Sequence, residues 1–223
     1  MFVGDVASPT LSPEDRHHLE RVLRLRPGEE ITVSDGAGRW RRCLVSGEPQ
    51  GEVQTAARPS PPVTVGFALT KGERPEWAVQ KLTEVGVDRI VPFVAARSVV
   101  RWDAGRAAAN AERWRRIARE AASQSRRVWL PEVADVQPFG DVVTAGPGVA
   151  LADPSGGPPS LAHPFVLVGP EGGWADEERA AAGSAGVAVV ALGPHVLRAG
   201  TAAVAAGVLL CGLRAELVKS LED

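Results

Sequence analysis

The chain has 223 residues, enough for one large domain or a small domain followed by a medium one. At 44% hydrophobic and 23% charged it has an ordinary globular composition, and no apolar run is long enough to span a bilayer. The net charge of -2 gives no general attraction for nucleic acid. Cys43 and Cys211 lie far apart without a metal-type spacing, so no metal site is expected. The N-terminus lacks a basic start followed by an apolar core, so a reduced, cytoplasmic protein with no membrane partner is expected.

Residues 1 to about 58 read as β-rich. In "EEITVSDGAGRWRRCLVSG", Ile31 and Val33 alternate with polar residues, Asp35-Gly36-Ala37-Gly38 supplies a turn, and Trp40 to Val45 returns as a second strand. Pro59, Pro61 and Pro62 interrupt any regular element, which places a domain boundary there: residues 1–62 form one domain and 63–223 another. Beyond it the rhythm changes. Val63 to Leu69 and Arg89 to Val94 read as strands, and Glu76 to Val85 between them as a helix that Gly86 ends. Residues 111 to 129 read as one amphipathic helix, with Trp114, Ile117, Ala118, Ala121, Ser125 and Val128 on one stripe. Gly148 to Ala152, Phe165 to Val168 and Val187 to Leu192 read as short strands, with a helix from about Asp176 between the last two. "DPSGGPPS" at 153 to 160 reads as a flexible loop. Such alternation predicts an α/β fold, a parallel sheet covered by helices on both faces. The final helix, about Thr201 to Leu217, is apolar or small all round, which fits either a subunit interface or a central core helix.

Arginine far outnumbers lysine and comes in groups: Arg21, Arg24 and Arg26; Arg39, Arg41 and Arg42; Arg113, Arg115, Arg116 and Arg119; Arg126 and Arg127. Such groups fit either solvated faces or local phosphate contacts. "LVGPEGGW", 167 to 174, is a strand running into a glycine loop before a helix. Gly172 and Gly173 offer backbone N–H groups, but Glu171, Asp176, Glu177 and Glu178 would repel a phosphate. The loop matches neither G-x-G-x-x-G nor a Walker loop, which argues against ATP, GTP and dinucleotides. A neutral or cationic ligand fits better. A tight turn with Asp176 as helix cap would account for the acids but not for the glycines. A second loop, "ALGPHVLRAGTAA" at 191 to 203, repeats the design after the next strand. Ligands of open parallel sheets bind beyond the carboxyl ends of strands, so the two loops are expected to share one pocket. Leu192, Val196 and Leu197 have the size and polarity to wall an adenine, and Arg198 is the cation at the helix entry.

These two loops at this spacing resemble the SPOUT methyltransferases and, within them, the RsmE family, which methylates N3 of a uridine in small-subunit (16S) ribosomal RNA. The resemblance extends through "HHLERVLRLRPGEEITVSDGAGR", similar to the family's PUA-like domain, and through Lys71, Gln80, Lys81, Glu84, Gly86, Val87, Ile90 and Pro92. It continues through Arg97, Ser98, Trp114, Glu120, Ala121, Gln124, Ser125, Arg127 and Pro131. It implies a C-terminal SPOUT domain with a deep trefoil knot, a small N-terminal PUA-like β-barrel, a homodimer, and S-adenosylmethionine as cofactor. The cofactor would lie against Leu151, Val168, Gly169, Pro170, Glu171, Gly172, Gly173, Leu192, Gly193, Pro194, Val196, Leu197 and Arg198. Arg24, Lys71, Arg97, Gln124, Arg126 and Arg127 would contact the 16S rRNA. The chain departs from the family's L-G-x-R-I-L-R-T-E-T-A at His195, Ala199 and Gly200, and has Ser123 where glutamate is usual.

Uracil N3 carries a proton at neutral pH, so its methylation needs a base and a stabiliser of the charge that develops on the ring oxygens. Arg198 is the expected stabiliser. The base is Glu171, His195, or a group outside the chain. Two other readings fit the same residues: a methyltransferase of this superfamily acting on another RNA, and a non-catalytic RNA-binding protein of ribosome assembly.

Overall fold

The computed structural model describes residues 1–71 and 74–218. The chain divides into two compact units, one formed by Met1–Pro59 with Ala122–Leu130 and the other by Ser60–Ala121 with Pro131–Asp223.

In the N-terminal unit a short helix, α1 (Pro13–His17), runs into a π-helical turn at His18–Val22. Three antiparallel strands follow, β1 (Glu30–Ser34), β2 (Arg39–Leu44) and β3 (Pro49–Thr55), in the order β1-β2-β3. The expected hairpin forms in register, with Glu30 opposite Leu44 and Ser34 opposite Trp40. Its turn works because Asp35 Oδ1 accepts from the N–H groups of Ala37 and Arg39, at 2.8 and 3.1 Å. Gly36 and Gly38 take φ values of +77° and +93°, open to glycine at little steric cost. Val3, Val6, Leu11, Leu19, Val33, Cys43 and Val45 form the core. Burial raises the Cys43 thiol above its ordinary pKa.

The returning segment completes this unit. Leu130 N–H donates to Gly36 O at 2.9 Å, Gly38 N–H to Val128 O at 3.1 Å, and Ser34 Oγ to Val128 O at 2.9 Å. Trp129 Nε1 donates to Ala56 O at 3.2 Å. The indole stands so close that a Cβ on Gly38 would lie 2.4 Å from it.

The second unit is built on a sheet of seven strands: β4 (Thr64–Ala68), β5 (Arg89–Val94), β6 (Glu132–Val133), β7 (Gln137–Pro138), β8 (Val149–Gly157), β9 (Phe165–Val168) and β10 (Ala188–Val190). The order is β10-β8-β9-β4-β5-β6, β7 also pairs with β5, and every pairing is parallel. Successive side chains along each strand enter different layers, as the two-residue strand period requires. Val65, Phe67, Ile90, Val166 and Val168 meet α2 (Arg74–Glu84), α3 (Ala104–Gln124) and α6 (Ala199–Arg214) through Leu82, Trp114, Ala203 and Leu210. Ala68, Val91, Phe93, Leu151 and Leu167 meet α4 (Phe139–Val143) and α5 (Asp176–Ser184) through Val142, Val143 and Ala182. The sheet therefore has helices on both faces, as the apolar strand runs predict.

Three expected boundaries differ by about five residues or more. The long helix starts at Ala104, where Asp103 Oδ1 caps it by accepting from Arg106 N–H at 2.8 Å. It ends at Gln124, not 129. Arg127 N–H returns to Ala122 O at 2.9 Å, Arg126 N–H to Ser123 O at 3.2 Å, and Arg126 has φ +56°, a left-handed helix stop. Arg126, Arg127 and Val128 thus lie beyond the helix, while Trp114, Ala118 and Ala121 keep the buried stripe. The expected loop at 153 begins instead as a continuation of β8 to Gly157. Helix α6 buries Ala202, Ala203, Ala206 and Leu210 in the core of the chain and leaves Val208 half exposed.

Candidate functional site

The carboxyl ends of β8, β9 and β10 open onto one cleft of about 170 Å³. Its walls come from Ala152 to Pro154 within β8, Val168 to Glu171 with Gly173 and Trp174 at and beyond the end of β9, and Leu192, Gly193 and His195 to Leu197 after β10. Ala199 and Ala202 of α6 close it.

The glycine loop is shaped by close approaches. Gly173 N–H donates to Pro170 O at 2.8 Å, closing a four-residue turn, and Gly173 sits at φ +70°. A Cβ on Gly169 would lie 3.0 Å from the Trp174 ring, so a side chain there would press the indole back by a few tenths of an ångström. Trp174 is buried, stacked on Phe93 with 6.1 Å between ring centres, and its Nε1 donates to Ala152 O at 3.0 Å. The ring thus ties the loop after β9 to the middle of β8. Gly172 O accepts from Arg97 Nη1 at 2.9 Å.

The start of α5 is not capped by Asp176, which is the first helical residue. Glu178 reaches back instead. Its Oε2 accepts from Ala175 N–H at 2.9 Å and its Oε1 from Ala96 N–H at 2.8 Å. The buried carboxylate therefore joins the glycine loop to the segment after β5.

Nine of the residues expected at the ligand line the cleft: Val168, Gly169, Pro170, Glu171, Gly173, Leu192, Gly193, Val196 and Leu197. Leu151 is buried in the sheet behind it, and Gly172, Pro194 and Arg198 are not on its wall. Arg198 is exposed at the N-cap of α6, where its carbonyl accepts from Ala202 N–H at 2.8 Å. Ala152, Asp153, Pro154, Trp174, Ala199 and Ala202 line the cleft and were not expected. Asp153 is the informative one, because the Asp-Pro-Ser sequence was a turn signal at the carboxyl end of a strand. Its Oδ1 accepts from Ser155 Oγ at 2.6 Å and Ser155 N–H at 3.0 Å, and its Oδ2 from Arg179 Nη2 at 2.8 Å. The Ser155 hydroxyl, assisted by Arg179, holds this carboxyl below the usual aspartate value.

Asp153 and Glu171 are the carboxylates of the wall, and neither lysine nor arginine is among its lining residues. That charge pattern disfavours a phosphate and suits a cationic ligand. Of the residues expected at RNA, Arg97 packs behind the glycine loop and Lys71 is exposed on the same unit, whereas Arg24, Gln124, Arg126 and Arg127 belong to the N-terminal unit. No group of three or more His, Cys, Asp or Glu side chains suited to a metal occurs among the described residues. No helix among them is long and apolar enough to cross a membrane.

Comparison with known proteins defines the class. The family described as RNA methyltransferase domain matches residues 58–210, and that described as RNA methyltransferase PUA domain matches residues 11–55. Ribosomal RNA small subunit methyltransferase E of Mycobacterium tuberculosis is 37% identical over 214 residues, covering 86% of this chain and 82% of that protein. The Bacillus subtilis protein of the same name is 32% identical, covering 87% of each chain. The chain belongs to the ribosomal RNA small subunit methyltransferase E family. Among solved structures, the family member from Neisseria gonorrhoeae bound to S-adenosyl methionine superposes with a TM-score of 0.75 at 27% identity, over 97% of this chain and 96% of that one.

Proposed function

We propose that the protein transfers a methyl group from S-adenosylmethionine to N3 of a specific uridine in 16S rRNA of the small ribosomal subunit. The observation that carries this reading is the cleft itself: a largely apolar wall with two acidic residues and neither lysine nor arginine, at the carboxyl ends of three parallel strands. A sulfonium-bearing nucleoside fits that chemistry where a nucleotide does not. The family relationship supplies the RNA.

S-adenosylmethionine brings a methyl group already activated on sulfur, so the chain's task is mainly to orient and shield. Leu192, Val196 and Leu197 would wall the adenine, and the turn from Gly169 to Gly173 would follow the rest of the ligand with backbone groups. Arg198 would stabilise negative charge on the uracil oxygens, with Glu171 or His195, both on the cleft wall, taking the N3 proton. N3 lies on the pairing edge, so the uridine must leave its stack to react. Residues 1–62, completed by the returning segment Ala122–Leu130, would form the PUA-like RNA-binding domain, its strands closing as a small barrel, and the rest of residues 63–223 the methyltransferase domain. The loops around the cleft would form a trefoil knot, and the active species would be a cytoplasmic homodimer.

The test is a methylation assay with labelled cofactor and small subunits lacking the modification, followed by digestion and mass spectrometry of the nucleosides. New 3-methyluridine is the expected product. Cofactor binding without product on this RNA would overturn the proposed substrate. In the same assay Arg198→Ala should lower turnover roughly a hundredfold, the typical effect of removing a donor to developing charge. Its cofactor affinity should stay within about twofold, since a hundredfold loss acts on the transition state rather than on ground-state binding. Parallel losses of turnover and cofactor affinity would remove Arg198 from this role.

A further inference from the structure

The segment carrying Asp153 is an excursion from the sheet. Ala150 pairs with Ala188 and Leu151 with Val189, but the next residue of β10, Val190, pairs with Gly157. The pairing of β8 with β9 also stops at Leu151. Residues 152–156 therefore leave both ladders and rejoin one of them, and the wall residues Ala152, Asp153 and Pro154 stand at the start of this excursion.

The excursion is held at both ends and in the middle. Ala152 O accepts from Trp174 Nε1 at 3.0 Å. Gly156 passes so close to β10 that a Cβ there would lie 2.5 Å from Val190 N, so a side chain would push the segment off the strand. Gly157 O accepts from Ala191 N–H at 2.8 Å. Between these points the two Ser155 hydrogen bonds fix the carboxylate of Asp153. The result is a preorganised negative charge on a largely apolar wall.

We propose that Asp153 is a specificity residue of the cleft, one that makes it favour a ligand with a positive charge on sulfur over the same ligand without that charge. The inference rests on the reading that the cleft holds S-adenosylmethionine. Two acidic residues line the cleft, and they differ in screening. Glu171 is exposed at a loop tip, where water weakens its field. The Asp153 side chain is only 13% exposed. Its ion-pair partner Arg179 is 49% exposed on α5 and is not part of the wall, so solvent screens the cation more than the anion. Methyl transfer leaves a neutral thioether in place of the sulfonium. The attraction of Asp153 then falls away, which weakens the hold on the product S-adenosylhomocysteine relative to the substrate.

The experiment is calorimetric titration of the full chain with S-adenosylmethionine and with S-adenosylhomocysteine, for the wild type, Asp153→Asn and Arg179→Gln. The wild type should bind the sulfonium form more tightly. Asp153→Asn should weaken S-adenosylmethionine on the order of tenfold, equivalent to about 1.4 kcal/mol, and leave S-adenosylhomocysteine within about twofold. Arg179→Gln removes the compensating cation and should move the ratio the opposite way. A wild type that binds both ligands equally, or an Asp153→Asn protein that loses both equally, reduces Asp153 to a holder of the backbone and overturns the inference, while the reading of the cleft stands. A wild type that binds neither ligand overturns that reading and the inference with it.

Discussion

Glu178 shows how much of the site hangs on single side chains. Its two oxygens serve two backbone N–H groups, one at the start of α5 and one at Ala96 after β5. Glutamine presents one oxygen and one NH₂, so one of these donors would face another donor. Leaving one buried donor unmatched costs about 1–3 kcal/mol, and Glu178→Gln should lower the urea midpoint accordingly. Weaker cofactor binding should accompany it, because Ala175 borders the glycine loop. An unchanged midpoint would mean that the segment after β5 is held by other contacts. Asp153 gives a pH prediction with a definite sign. Its pKa is depressed from the ordinary 3.8, first by the Ser155 hydroxyl. Its contribution is therefore complete above 3.8 and is lost only as the pH falls through the depressed value. Between about pH 8 and about pH 5 the wild-type to Asp153→Asn affinity ratio for S-adenosylmethionine should be flat, since an aspartate near or below 3.9 stays ionised there. A ratio that varies in that range would place the relevant proton elsewhere. At this scale the sequence was partly legible. Gly-Pro-Glu-Gly-Gly announces backbone close to something, since glycines are wasteful otherwise, and Trp174 turns out to be one of the things approached. The role of Glu178 was hidden, because a helix cap can come from the third helical residue reaching back as well as from the residue before the helix.

At the scale of elements, α6 is fastened at its far end by a buried ion pair. Arg214 Nη1 donates to Asp88 Oδ2 and to Pro61 O, and Nη2 donates to Gly86 O at 3.0 Å. Asp88 Oδ2 also accepts from Val63 N–H at 2.8 Å. The side chains are 11% and 5% exposed. Removing one member of such a pair strands the other, so Arg214→Ala should cost about 3–5 kcal/mol in chemical denaturation. Replacing both residues with apolar ones should recover part of that loss, although Val63 N–H would then lack its side-chain acceptor. A single-variant loss no larger than that of a surface ion pair would show the site to be wet. Elements were legible where apolar spacing was strong, as in β4, β5, β9 and the stripe of α3. Their ends were not. Helix α3 stops because Arg126 adopts a left-handed conformation that arginine takes rarely. The continuation of β8 past Ala152 was obscured by Asp, Pro, Ser and Gly, which read as a loop although Gly157 rejoins β10.

At the scale of the molecule, composition and alternation predicted a parallel sheet with two covered faces, and the strand runs carried that message plainly. The strand order β10-β8-β9-β4-β5-β6 was beyond them. Order depends on which strand edges meet after long connections, and each strand here is apolar enough to sit beside several others. That both glycine-proline loops share one cleft was legible from their position after successive strands, because β8, β9 and β10 are neighbours with their carboxyl ends together. The third contributor, within β8, was not, since its wall residues come from an irregularity in the pairing.

The N-terminal unit takes its last piece, Ala122–Leu130, from beyond a long stretch of the other unit. On the ribosome, where the chain emerges from its N-terminus, this unit cannot finish folding when its first 59 residues appear. It waits for Val128, Trp129 and Leu130, whose backbone and indole close the turn at Gly36 and Gly38. Residues 1–59 alone are therefore an incomplete module for transplantation. A fragment of those residues should melt broadly and at low temperature, whereas the same fragment joined to residues 122–130 through a flexible linker should unfold cooperatively. Equal melting of the two would mean that the returning segment decorates a unit already able to stand alone.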